Sequence, residues 1–216
     1  MTGKFITFEG GDGAGKSTQI ERLAARLSAN GRIVTTTREP GGTPTAEAIR
    51  QKILSGSVKS LGADAEAILF AAARTDHVDK VIRPALARDG WVLCDRFADS
   101  TRVYQGVGGG VDEGLLHALE RVAIGDTKPD LTFVLDVPAM VGLARVRERL
   151  EATGASADRF EGDNLVVLEK RRHAFLDIAA REPDRCVVVD ATQTVEQVAA
   201  AIWQAVTTKL LDEEAS

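Results

Sequence analysis

Short apolar and β-branched runs alternate with longer stretches of helical periodicity along this chain. Phe5, Ile6 and Phe8 open the first run, which stops abruptly at glycines. Ile20, Leu23, Ala24 and Leu27 then recur at i, i+3, i+4 and i+7, one apolar face of a helix, and Asn30-Gly31 ends it. Arg32 to Thr37 is rich in β-branched residues and predicts a second strand. Strand, helix and strand of these lengths make a βαβ unit, with parallel pairing and a right-handed crossover. A helix is predicted from about Pro44 to Leu54, then a Ser/Gly connector from Ser55 to Gly62. Asp64 to Arg88 reads as helical, broken near Thr75-Asp76, with Ala65, Ile68, Leu69 and Ala72 as its apolar stripe. Buried strands are predicted at Gly90 to Asp95, Leu131 to Asp136 and Arg185 to Asp190. Helices are predicted at Asp112 to Ile124, after Pro138, at Asn164 to Ala180, and along Val195, Val198, Ala199, Ile202 and Val206. The tail from Asp212 to Ser216 reads as frayed. The sum is an α/β fold: a five-stranded parallel sheet flanked by helices on both faces.

The glycines after the first run change the picture from architecture to chemistry. FITFEGGDGAGKST spans Phe5 to Thr18, and Gly10, Gly15, Lys16 and Ser17 satisfy G-x-x-x-x-G-K-[ST] in full. Glycines let the backbone wrap so that successive N–H groups converge on an anion. The start of the next helix adds its positive dipole end. Lys16 reaches the terminal phosphates, and the Ser17 hydroxyl suits Mg²⁺. Strand, loop and helix come in the order this motif requires, so the chain is expected to bind a nucleoside triphosphate with Mg²⁺.

Length and charge narrow the partners. At 216 residues one domain is the default. A net charge of −5 argues against nucleic-acid or anionic-membrane partners. An acidic protein that binds phosphates must concentrate its arginines locally. The two cysteines, Cys94 and Cys186, sit far apart in apolar runs and read as buried reduced thiols. No signal-peptide pattern or membrane-length apolar run occurs, so the cytoplasm is the expected location.

Several residues stand where strands should end, the edge at which open α/β sheets bind ligands. Arg38-Glu39-Pro40-Gly41-Gly42-Thr43 is a polar turn there, with Thr43 as a helix N-cap. Phe70 and Arg74 are an i, i+4 pair off the predicted apolar stripe. They could clamp a flat polar ring, or Phe70 could pack on a neighbour and Arg74 be solvated. Asp95 ends an apolar strand, as an acid near Mg²⁺ does in P-loop proteins, and Arg96 follows it directly. A structural surface pair is the alternative. Phe97 to Gly110 is a glycine-rich loop or short helix holding the only tyrosine, Tyr104. Thr127-Lys128-Pro129-Asp130 resembles a guanine-reading motif but precedes its strand, so it reads as a turn. Arg145, Arg147 and Arg149 lead into the small, polar Glu151 to Asp158 and then Arg159-Phe160-Glu161. This is either a mobile segment able to close over phosphates or a solvated helix end. His77, His117 and His173 read as plain helix residues.

FEGGDGAGKST, TREPGGTP, LFAAAR, DRFADSTRVYQG and the arginine-lined segment ending in DRFE occur in that order. In them the chain resembles the bacterial thymidylate kinases of the nucleoside monophosphate kinase superfamily, from about Lys4 to Leu210. The resemblance implies transfer of the ATP γ-phosphate to dTMP with Mg²⁺, in a P-loop kinase fold with a lid at about 147–162, usually as a homodimer. It implies an ATP site of Gly10, Gly11, Asp12, Gly13, Ala14, Gly15, Lys16, Ser17 and Thr18, with Arg145 and Gln193 bordering the adenine. For dTMP it implies Phe70 on the thymine face, Arg74 at its edge, and Thr101 and Gln105 around it. Tyr104 would sit beside the 2′ position, with Glu39, Pro40, Leu54 and Ser100 completing the acceptor site. Arg96 would hold the acceptor phosphate, Asp95 would act with Ser17 through Mg²⁺, and Arg149 and Arg159 would be lid arginines. Asp12, a carboxylate inside a phosphate loop, must point away from the phosphates, towards an uncharged donor such as the acceptor's 3′-hydroxyl. No arginine lies between Gly10 and Ser17, which matches family members that carry theirs in the lid. A GTP switch or a small-metabolite kinase are the competing readings of the same loop.

Overall fold

A computed structural model describes residues 3–154 and 164–211. Five parallel strands, β1 (Phe5–Glu9), β2 (Val34–Arg38), β3 (Trp91–Asp95), β4 (Leu131–Asp136) and β5 (Cys186–Asp190), form one sheet in the order β2-β3-β1-β4-β5. Each lies within a residue or two of its predicted span. After β1 the chain goes to the edge strand β2, returns to fill the gap with β3, then crosses to β4 and β5 on the other side. That makes the C-terminal end of β1 the switch point, where such sheets open a crevice for ligands.

Two-residue periodicity decides what each strand presents to which face. Ile6, Phe8, Leu93, Phe133 and Leu135 pack against α1 (Lys16–Ala29) and α9 (Val195–Val206), through Leu23, Leu27, Val198 and Ile202. Phe5, Val92 and Cys94 point the other way, to α3 (Ala63–His77) and α6 (Glu113–Ile124), through Ala71 and Ile124. The same parity sends Glu9 to the α3 side and Asp95 to the α1 side. Both acids sit at the C-terminal edge, but they serve opposite layers.

Helix α2 (Pro44–Leu54) starts as expected, with Thr43 Oγ1 accepting the Ala46 N–H at 3.0 Å. Helix α3 corrects two expectations. It does not break at Thr75-Asp76. It runs to His77 and passes through a wide π-type turn at Val78–Ile82 into the short α4 (Arg83–Leu86). Nor is its apolar stripe the buried one. Ile68 is 49% exposed, whereas Glu66, Ala67, Ala71, Ala73, Arg74 and His77 are buried. Alanines face inward because α3 lies close against its neighbours, and the larger Ile68 is left outside. The stretch after β3 is helical too, as α5 (Ala98–Thr101) followed by a π-type turn over Arg102–Val107.

Helix α7 (Ala139–Thr153) reaches into the predicted loop at Glu151, so part of that small, polar stretch is helix. Gly154 closes it in the left-handed conformation. Arg159 and the rest of the expected lid lie outside the described residues, as does the tail from residue 212. Helix α8 (Leu165–Arg181) follows, and Thr127 to Asp130 is an irregular turn at the N-terminal edge of the sheet. Cys94 and Cys186 are free and buried, as expected. Among the described residues no helix is long and apolar enough to cross a membrane.

Candidate active site

The phosphate loop runs from Gly10 to Gly15 between β1 and α1. Its tip is pressed against the first turn of α7. Gly13 adopts φ +77°, and a Cβ there would lie 2.2 Å from the Gly142 carbonyl oxygen. Lys16 folds back over the loop, donating to Gly10 O at 3.2 Å and Gly11 O at 3.0 Å. Burial pulls its pKa below the ordinary lysine value, and the neighbouring Arg96 charge adds to that, against the carboxylates of Asp95, Asp12 and Glu9.

Ser17 stands in the first turn of α1, on the sheet face that Asp95 shares, and donates to Asp95 Oδ2 at 2.8 Å. These two oxygens fit a hard cation. No cluster of three or more His, Cys, Asp or Glu able to hold a metal occurs among the described residues. A metal here would therefore take most of its ligands from water and phosphate, which is the habit of Mg²⁺.

Arg96 is the hinge of the site. Its N–H continues the sheet by donating to Phe8 O at 2.9 Å, but its φ is +68°, a left-handed conformation that costs roughly 1–3 kcal/mol for a non-glycine residue. That turn throws the guanidinium back across the phosphate loop. There it donates to Gly10 O at 3.1 Å, Ser100 Oγ at 3.2 Å and Asp12 Oδ1 at 2.7 Å. Asp12 Oδ1 is thus taken up by the charged Arg96 guanidinium, while its Oδ2 accepts from the uncharged Tyr104 hydroxyl at 3.5 Å. Burial pushes the Asp12 carboxyl up, yet Arg96 and Lys16 outweigh it and hold the pKa at about 2. The Tyr104 ring lies beneath the Arg96 guanidinium at 5.1 Å, with Arg171 at 4.4 Å from the same ring.

Glu9 explains why the turn after β3 keeps its shape, and sequence reasoning passed over it. Its Oε1 accepts from the Phe97 and Ser100 N–H groups at 2.7 and 3.3 Å, and its Oε2 bonds Ser100 Oγ at 2.6 Å. Burial and the neighbouring Asp99 charge raise its pKa from 4.5 to about 7. The available signal was a lone acid closing an apolar strand.

Asp12, Lys16, Ser17, Asp95, Arg96, Ser100 and Tyr104 border one cleft of about 680 Å³, within the range of small-molecule sites. At one end are Pro40, Leu54, Phe70, Arg74, Thr101 and Gln105; at the other are Arg145, Arg149, Gln193 and Val198; Lys16, Ser17, Thr18, Asp95 and Arg96 lie between. Arg145 donates to Ala191 O at 3.0 Å, which ties α7 to the turn after β5. Gly10 and Gly11 serve the cleft as acceptors for Lys16 and do not line it. Arg74 is buried, not solvated. Its Nε donates to Glu39 Oε2 at 2.6 Å, and its Nη2 to Phe97 O and Thr101 Oγ1, both at 3.0 Å. Gln105 donates to the buried Glu66 at 2.9 Å. Arg38 lines the cleft too, with its guanidinium bonded to Glu47 at 3.0 Å.

A phosphate loop at the switch point, with a second chamber facing it across a row of cations, defines a P-loop phosphotransferase of the nucleotide kinase class. The comparisons with known proteins narrow this. Residues 8–202 match the family model described as thymidylate kinase. The chain is 56% identical over 216 residues to a thymidylate kinase of Nitrobacter hamburgensis, covering all of this chain and 93% of that one. It is 58% identical over 211 residues to one of Rhodopseudomonas palustris strain BisB18, covering 97% and 90%. The crystal structure of the Ehrlichia chaffeensis thymidylate kinase superposes with a TM-score of 0.74 at 35% identity, over 95% of this chain and 99% of that one. The chain belongs to the thymidylate kinase family. It is an enzyme, a nucleoside monophosphate kinase.

Proposed function

We propose that the cleft carries the γ-phosphate of ATP to dTMP, giving dTDP and ADP, with Mg²⁺ as the metal. Donor phosphates lie along Gly10 to Thr18 under Lys16, and the adenine lies against Arg145 and Gln193. The dTMP base lies in the chamber of Phe70, Arg74, Thr101 and Gln105, walled by Pro40 and Leu54, with Tyr104 beside its sugar. Ser17 and Asp95 hold Mg²⁺, which when bound neutralises charge developing on the phosphates. Arg149 and Arg159 of a lid at about 147–162 act on the transferring group.

Arg96 carries this reading. Its guanidinium joins the phosphate loop to Ser100 at the mouth of the base chamber, so one cation spans the line between donor and acceptor. The attacking atom is a phosphate oxygen, already ionised at pH 7, so no general base is needed. Catalysis is alignment plus charge stabilisation. The cations serve both, and the buried ones keep their geometry through fixed partners.

The assembly is a homodimer. The outward stripe on α3, with Ile68 49% and the preceding Leu61 64% exposed, is the apolar surface that supports this. The enzyme works in the cytoplasm, in keeping with its two free thiols. It has no nucleic-acid partner.

The test is ADP release from ATP and Mg²⁺ with dTMP, dUMP, dCMP, dGMP, AMP or no acceptor. A strong preference for dTMP is expected. Preference for another monophosphate would void the base and sugar assignments while keeping the phosphate loop. Turnover indifferent to every acceptor would remove the reading altogether.

A further inference from the structure

Below the base chamber lies a buried chain of hydrogen bonds that no step of the reaction uses. It starts at Thr37, in β2, whose Oγ1 is 2.6 Å from His77 Nε2. His77 Nδ1 is 2.9 Å from Glu39 Oε1, and Glu39 Oε2 accepts from Arg74 Nε at 2.6 Å. The His77 side chain is 0% exposed, and those of Glu39 and Arg74 are each 4% exposed. Glu39 and Arg74 border the cleft; His77 does not.

We propose that His77 is a positioning residue for acceptor-base recognition: it fixes Glu39, which fixes the Arg74 guanidinium at the wall of the chamber. The inference rests on the reading that Arg74 meets the acceptor base. Its physical content is the division of labour on one carboxylate. A carboxylate that pairs with an arginine can only accept, so His77 Nδ1 donates to Oε1. With one donor on each oxygen, the Glu39 carboxylate cannot rotate without breaking both bonds. Arg74 is then left with a single contact to Glu39, and its Nη2 stays on Phe97 O and Thr101. Remove the donor at Oε1, and that buried oxygen is unsatisfied. The nearest remedy is a two-pronged pair with the guanidinium, the geometry that arginine and carboxylate favour. Such a pair would draw Nη2 from Thr101 and swing the guanidinium off the chamber wall.

The imidazole also supports the turn above it. A Cβ on Gly42 would fall 2.5 Å from His77 Cδ2, so the turn's backbone rests on the ring. Packing alone is thus the competing role, and the experiment must separate donor from wedge. Asn at this position places an amide N–H near where Nδ1 stands; Gln places one near Nε2.

Steady-state KM for dTMP and for ATP would be measured for His77→Asn, His77→Gln and Arg74→Gln. Arg74→Gln is expected to raise the dTMP KM about tenfold or more, leaving the ATP KM within about twofold. His77→Gln should raise the dTMP KM about tenfold with the same selectivity, and His77→Asn should stay within about threefold of the native enzyme. If Asn and Gln behave alike, or Gln rescues where Asn does not, His77 acts through packing or Thr37 and the proposal is overturned. If Arg74→Gln leaves the dTMP KM unchanged, the reading of the base chamber fails and the proposal falls with it.

Discussion

Glu9 ends a strand as a carboxylate surrounded by donors, yet burial and Asp99 hold its pKa near 7. The sign of the consequence is fixed. In the unfolded chain this group loses its proton near pH 4.5, and in the folded chain near 7. Between those values the folded state binds more protons, so stability falls as pH rises through the window. Each unit of the gap is worth roughly 1.4 kcal/mol. Glu9→Gln keeps an acceptor for Phe97 N–H and cannot ionise. Urea midpoints measured from pH 4.5 to 8 should therefore decline more steeply for the native protein than for Glu9→Gln. Parallel profiles would show that Glu9 titrates as an ordinary glutamate. Asp12 behaves oppositely. Its depressed pKa adds stability above pH 3.8 that is lost as pH falls towards 2.

The loop and α7 meet backbone to backbone, and this contact belongs to the scale of elements. Gly142 lies in α7, where alanine would favour the helix by about 1 kcal/mol. But a Cβ there would sit 2.6 Å from the Asp12 carbonyl oxygen, which is backbone and cannot step aside. Overpacking of this kind costs about 1–3 kcal/mol, so the clash outweighs the propensity. Gly142→Ala is expected to lower the melting temperature and raise the ATP KM more than the dTMP KM. A higher melting temperature with unchanged ATP KM would mean that the loop yields freely. A different device holds α5 to its neighbours. Arg185 bonds Asp99 at 2.8 and 2.9 Å, and Arg102 bonds Glu120 at 2.6 and 2.8 Å and Glu182 at 2.8 Å. Asp99 is buried, so this network is screened less by salt than a surface pair.

At the scale of the molecule, the sheet divides labour between its two layers. The α1 layer holds the triphosphate loop and Asp95; the α3 layer holds Glu9, Glu39 and Arg74. On the proposed reading, the phosphoryl acceptor and donor bind from opposite layers and meet at the edge where β1 ends. The outward stripe of α3 then faces away from the chemistry. If two copies pair through it, sedimentation should find a dimer at micromolar concentration, and Ile68→Glu should weaken it at least tenfold. A native protein that sediments as a monomer, or a variant that stays dimeric, would place the interface elsewhere or remove it.

Much of this was legible along the chain because it is local. The loop from Gly10 to Ser17 is a continuous stretch, and its strand and helix are its immediate neighbours, so spacing alone carries the chemistry. The five strands and their order along the chain follow from runs of apolar and β-branched residues, each readable within its own window. What the chain could not state is which of two similar faces is buried. On α3, alanines and Ile68 offer competing stripes, and only the closeness of its packing neighbours chose the alanines. Nor does periodicity pair residues far apart in the chain. Arg96 reaching Asp12, and His77 and Arg74 sharing Glu39, depend on strand order, on a left-handed turn after β3 and on α3 lying against the end of β2. The sequence by itself determined the strand, glycine loop and helix that bring Lys16 and Ser17 together at the end of β1. Tertiary structure decided how Arg74, Arg96 and Glu9 are aimed, because an aim is set by partners that only folding brings within hydrogen-bond reach.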